Sequence, residues 1–84
     1  MEQISKDIAK LEVELREYED DFVCQSFIST YPDCIAEKAS VAIFYMMQAE
    51  KDETKRAVEF LKSKSNKYEF MMENDRDVIM VYMK

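Results

Sequence analysis

The chain has 84 residues, of which 48% are hydrophobic and 36% charged, and its net charge is −6. One domain is expected at this length, and the acidity disfavours nucleic acid and anionic membranes while leaving basic proteins as partners. Glycine and histidine are both absent, which excludes glycine-rich phosphate loops and the nucleophile elbow and removes the commonest general base and metal ligand. No catalytic residue, cofactor site or metal site is therefore assigned, and a non-enzymatic role is expected.

Residues 2–28 read as one long amphipathic helix. Ile4, Ile8, Leu11, Leu15, Tyr18 and Phe22 recur at alternating spacings of four and three, a heptad stripe of coiled-coil type. Such a helix is about 40 Å long, against a diameter of about 30 Å for a compact body of this size. That mismatch favours either an elongated bundle or an N-terminal end that pairs with another chain.

Thr30-Tyr31-Pro32-Asp33 is a good helix start, with a capping threonine and proline in the first turn. Residues 30–62 are accordingly read as a helical hairpin or a kinked helix. The second helix runs through Cys34–Gln48 and is apolar on nearly every side from Ala39 to Met47, which requires cover on every side. A break near Asp52 separates it from a short third helix carrying Ala57, Val58, Phe60 and Leu61.

The period then changes. Tyr68, Phe70 and Met72 alternate with Glu69, Met71 and Glu73, and Val78–Met83 is a second apolar run beyond Asn74-Asp75. Two such runs around an Asn-Asp turn predict a β-hairpin over 67–83. The fold expected is a single, mainly α domain of α+β type: a long N-terminal helix, a buried second helix with a short third, and a C-terminal β-hairpin. The alternative is an all-α helical bundle.

Cys24 and Cys34 are too few for a disulfide scaffold and read as reduced core residues of a cytoplasmic protein. Residues 1–20 lack a basic segment followed by an apolar run, so no signal peptide is expected. The longest apolar run, Val41–Met47, falls far short of the roughly 20 residues that span a bilayer.

Three surfaces stand out. The stripe of Ile4, Ile8, Leu11, Leu15, Tyr18 and Phe22 is a candidate interface with a second copy; the same spacing also serves packing inside one chain. Glu12, Glu14, Glu17, Glu19, Asp20 and Asp21 form an acidic docking face, or simply a solvated one. Lys51, Lys55, Arg56, Lys62, Lys64 and Lys67, against Asp52, Glu53 and Glu59, form a basic patch. That patch could meet phosphate, complement a helix dipole, or pair with the acidic helix. Six methionines after Met1 (Met46, Met47, Met71, Met72, Met80 and Met83) either fill core gaps or make a pliable binding surface.

The expectation is a protein–protein interaction module, a homodimeric or higher-oligomeric regulator or adaptor, with a basic protein as a further partner. The alternative is a small acidic inhibitor, of antitoxin-like or phage-encoded type, that blocks a basic site on a nucleic-acid enzyme. The third reading is nucleic-acid binding through Lys51–Lys67.

Overall fold

The computed structural model describes residues 2–18, 23–28, 40–47, 49–73 and 77–84. Helix α1 spans Glu2–Tyr18, strand β1 Val23–Ile28, strand β2 Ala42–Met47, helix α2 Lys51–Lys64, strand β3 Tyr68–Met72 and strand β4 Val78–Met83. The four strands form one sheet in the order β1-β2-β4-β3, and every neighbouring pair is antiparallel. β2 and β3 therefore run parallel on either side of β4, which makes β2–α2–β3 a split β-α-β unit.

This corrects the mainly α expectation and its all-α alternative. The fold is α+β: among the described residues, two helices lie on a four-stranded antiparallel sheet. The long helix stops at Tyr18 instead of Ile28. The next residues, Glu19-Asp20-Asp21, would place three carboxylates at the negative end of the helix dipole. Beyond them Val23-Cys24-Gln25-Ser26-Phe27-Ile28 is rich in residues that favour strands over helices. At 17 residues α1 is about 25 Å long and fits within principal extents of 35 × 26 × 19 Å. The length argument for a projecting helix therefore falls away.

The buried second helix is also corrected. Ala42–Met47 is a central strand, paired with β1 on one side and β4 on the other. A short apolar run is ambiguous in period, but Ile43, Phe44 and Tyr45 are the β-branched and aromatic types that suit a pleated surface. The capping signal at Thr30–Asp33 lies outside the described residues. The break near Asp52 is where α2 begins: the Glu53 carboxylate accepts from the Glu50 N–H at 3.1 Å, and Thr54 N–H donates to the Glu50 carbonyl. Asp52 and Glu53 in the first turn and Lys62 and Lys64 in the last complement the dipole. The C-terminal hairpin is present, with β3 and β4 paired from Tyr68↔Met83 to Met72↔Ile79.

Both helices cover one face of the sheet. Ile8, Leu11 and Leu15 of α1 and Ala57, Val58 and Leu61 of α2 meet Cys24, Ala42, Phe44, Met46, Tyr68, Phe70, Ile79 and Val81, and all are buried. Leu15 and Phe44 are wholly inaccessible. Among the described residues, the Thr54 hydroxyl is buried in this core without a hydrogen-bond partner.

Candidate functional site

A strand turns successive side chains to opposite faces. With Cys24, Ala42, Phe44, Met46, Phe70, Ile79 and Val81 turned to the helices, their neighbours turn away from them. The cross-strand register lines up Phe27 with Ile43, Ile43 with Met80, and Met80 with Met71. An apolar row thus crosses all four strands on the face opposite the helices. A second row joins Gln25, Tyr45 and Val78.

Among the described residues, no helix lies on this face. Phe27 is 52% exposed, Met71 55%, Met47 47% and Tyr45 39%, while Ile43, Val78, Met80 and Tyr82 are half-buried. Phe27 and Tyr45 make an edge-to-face pair with centroids 5.5 Å apart, an arrangement that fixes both rings. Among the described side chains facing this way from the strands, Glu69 carries the one charge. Soluble sheets ordinarily alternate apolar inside with polar outside, so an apolar outer face is the anomaly of this molecule.

The methionines divide between the two faces. Met46 is buried with the core and Met72 packs against it. Met47, Met71 and Met80 belong to the open face. Sequence reasoning missed the site because it assigned Phe27, Ile43 and Tyr45 to helices. The signal available was the shortness of the Val41–Met47 run, which favours a strand.

The stripe proposed for self-association lies elsewhere. Ile8, Leu11 and Leu15 are buried under the chain's own sheet, and Ile4 packs against the same core. Tyr18 is 52% exposed and stacks on Phe60 with ring centroids 4.2 Å apart. Phe22 lies outside the described residues. Spacing alone could not separate contacts within a chain from contacts between chains, and here the sheet takes up the buried part of the stripe.

The acidic face is partly structural. The Glu12 carboxylate accepts from the Ser26 N–H at 2.6 Å and from the Ser26 hydroxyl at 2.7 Å. Arg16 donates to the Cys24 carbonyl through Nε at 3.1 Å and through its terminal nitrogen. These two side chains fasten α1 to the outer edge of β1. Glu14 is half-buried and Glu17 exposed; Glu19, Asp20 and Asp21 lie outside the described residues.

The basic residues Lys51, Lys55, Arg56, Lys62, Lys64 and Lys67 are all exposed. Lys55 and Arg56 line an open hollow of about 420 Å³ with Tyr18, Glu59, Phe60 and Ser63, and the Lys64 ammonium stands 5.4 Å from the Phe60 ring centroid. Acidic and basic segments also meet directly, since Lys67 pairs with Asp7 at 3.2 Å. Asp7, Glu14, Lys10, Lys64 and Lys67 share a hollow of about 220 Å³, where opposite charges offset one another.

Two ionisable groups there are displaced. Asp7 is held down at about 2 by hydrogen bonds from the Tyr68 hydroxyl and Gln3, with Lys67 adding to them. Tyr68 is pushed up to about 12 by burial and by its bond to Asp7. Cys24, a buried free thiol, is pushed up to about 12 by burial and then by the Glu12 charge. A thiol of that kind is a poor nucleophile. Among the described residues no three His, Cys, Asp or Glu side chains converge as metal ligands would, and no helix is long and apolar enough to cross a membrane.

The chain matches no protein-family model, and neither a curated protein nor a solved structure is similar to it.

Proposed function

We propose that the chain is a non-enzymatic, cytoplasmic protein-interaction module that works as a homodimer, the open sheet face of one protomer packed on the same face of another. The observation that carries this reading is the apolar row of Phe27, Ile43, Met80 and Met71, which no described element covers. Two sheets packed face to face lie about 10 Å apart and interdigitate side chains of this size.

Charge favours a second copy as the occupant. Two chains of −6 repel, so they associate most readily where neither presents charge. The helical side is studded with charged side chains, whereas the strands of the open face present Glu69 alone among the described residues. The same lack of cations gives phosphate nothing to bind there. Four strands about 4.8 Å apart and five or six residues long give a plane on the order of 350 Å². With its rim, that approaches the low end of specific interfaces, about 600 Å² per partner. The free Cys24 thiol suits a reducing compartment.

Sedimentation equilibrium tests the proposal. A monomer–dimer equilibrium with a Kd on the order of micromolar is expected for an interface of this size. Tyr45→Lys and Met71→Lys should shift it to monomer while leaving circular dichroism unchanged. A chain that stays monomeric at about 1 mM, or a dimer unmoved by both variants, would overturn it.

A further inference from the structure

The two edges of the sheet differ. In an antiparallel ladder, the N–H and C=O of alternate residues point to the same side of the strand. Lys84 N–H donates to the Lys67 carbonyl and Glu73 N–H to the Val78 carbonyl. Positions 67 and 73 therefore face β4, and Glu69 and Met71 between them do the same in the register of β3 with β4. Tyr68, Phe70 and Met72 consequently point their N–H and C=O groups outward, away from the sheet. Among the described residues, no hydrogen bond reaches these outward groups.

At the opposite edge the outward residues are Cys24, Ser26 and Ile28, and side chains of α1 take one backbone group from each of the first two. Arg16 takes the Cys24 carbonyl, and Glu12 takes the Ser26 N–H. An edge strand invites pairing unless it is blocked. Side chains from α1 reach over part of the β1 edge, and among the described residues nothing does so at β3.

We infer that the outer edge of β3 is a docking site for an extended, acidic segment of a partner protein, which adds to the sheet as a fifth strand. The outward row asks for alternating acceptors and donors at strand spacing, and a polypeptide in β conformation supplies them. The choice of partner comes from the side chains at this edge. Lys62 of α2, Lys84, Tyr68, Phe70 and Met71 line a hollow of about 340 Å³ there. Glu69 is the one carboxylate in that lining. A segment alternating apolar and acidic residues would set its apolar side chains beside Met71 on the open side of the sheet and its carboxylates beside Lys62 on the helix side, with the Lys84 charge adding at longer range.

A second copy fits this edge poorly. Pairing β3 with its own copy about a two-fold axis at Phe70 would bring Lys62 against Lys62, and edge lysines oppose self-pairing in this way. Met71 and Glu69 border both this site and the face proposed for the homodimer, but the outward backbone row of β3 belongs to the edge alone, so amide protection there and the oligomeric state can fail independently.

The test uses the full chain, labelled with nitrogen-15, and short peptides of alternating valine and glutamate or alternating valine and lysine. A valine–glutamate peptide methylated on every backbone nitrogen is the control. Saturable binding of the acidic peptide is expected, with slowed amide exchange at Tyr68, Phe70 and Met72. Lys62→Glu combined with Lys84→Glu should weaken it about tenfold. Both lysines are exposed, and retained amide dispersion verifies that the variant folds. Equal binding of the methylated or the valine–lysine peptide would overturn the inference, as would protection confined to other strands or no saturation by about 1 mM. Concentration-dependent protection of the same amides without peptide would mean that a second copy occupies the edge, and would overturn it too.

Discussion

Removing the Glu12 side chain should loosen β1 from α1. One carboxylate oxygen receives both the Ser26 N–H, at 2.6 Å, and the Ser26 hydroxyl, at 2.7 Å, and the Glu12 side chain is 21% exposed. A hydrogen bond to a charged group contributes about 1.5–3 kcal/mol when largely shielded from water. The hydroxyl can turn to solvent once the carboxylate is gone, so roughly one such bond is lost in net terms, about 2 kcal/mol. The Arg16 pairing at 3.8 Å, with Arg16 51% exposed, adds little. Alanine returns a few tenths of a kcal/mol in helix propensity. Glu12→Ala should therefore lower the unfolding free energy by about 1.5–2 kcal/mol, a sizeable part of the roughly 4–13 kcal/mol expected of a chain this size.

Urea titration would register this as a lower midpoint with an unchanged slope. Native-state hydrogen exchange would place it, with the Ser26 amide exchanging about 10–30-fold faster. Ser26→Ala in a double-mutant cycle would isolate the hydroxyl contribution. A loss below about 0.5 kcal/mol with no change at the Ser26 amide would refute the clamp.

Thr54→Val should stabilise the protein by about 1 kcal/mol, because it removes a buried hydroxyl without a partner in favour of an apolar group of similar shape; a loss of stability in thermal unfolding would show that the hydroxyl is satisfied. Asp7, held at about 2 against an ordinary 3.8, binds protons less readily folded than unfolded. Its contribution is complete above about pH 4 and is lost as pH falls through about 2, so Asp7→Asn should flatten the stability profile in that window. Tyr68, raised to about 12 from 10, acts in the opposite sense: its contribution is complete below about pH 10 and lost as pH rises toward 12, a loss Tyr68→Phe should abolish. In a Cys34→Ser background, Cys24 should resist thiol reagents at pH 8 until urea unfolds the chain, since the buried thiol is raised to about 12. Stoichiometric labelling of the native protein within minutes would contradict that burial.

The parts of the fold legible in sequence are those governed by local pattern. Alternation in Tyr68–Met72 and the apolar run Val78–Met83 specify the hairpin, and the charged stretch at Glu50–Glu53 marks the start of α2. The helical period from Ile4 to Leu15 is real. The stripe's spacing carries on beyond Tyr18, where the described helix ends, and Phe22 lies outside the described residues. β1 and β2 were hidden for a different reason. Phe27 and Tyr45 acquire their strand geometry from pairing with each other's strand, and Phe44 from pairing with Ile79, a partner far along the chain. The open face was illegible as a consequence, since a face exists only once all four strands are in register. Composition did record its cause, an apolar content of 48%, more than so small an interior encloses.

The strand order has a consequence for how the protein comes to exist. β4 follows every other element in the chain, yet it lies between β2 and β3 and joins the two halves of the sheet. During synthesis from the N-terminus, α1, β1 and β2 emerge with nothing to seat the inner side of β2. The nascent chain thus carries exposed apolar strands until residues 78–83 arrive, and pairings that span so much sequence form slowly. Deleting Val78–Met83 would remove the keystone of the sheet, whereas deleting the first turns of α1 would cost the Ile4 packing and the Asp7 bonds to Tyr68 and Lys67 but leave all four strands paired. Termination before β4, or proteolysis that removes it, should therefore yield an aggregating fragment.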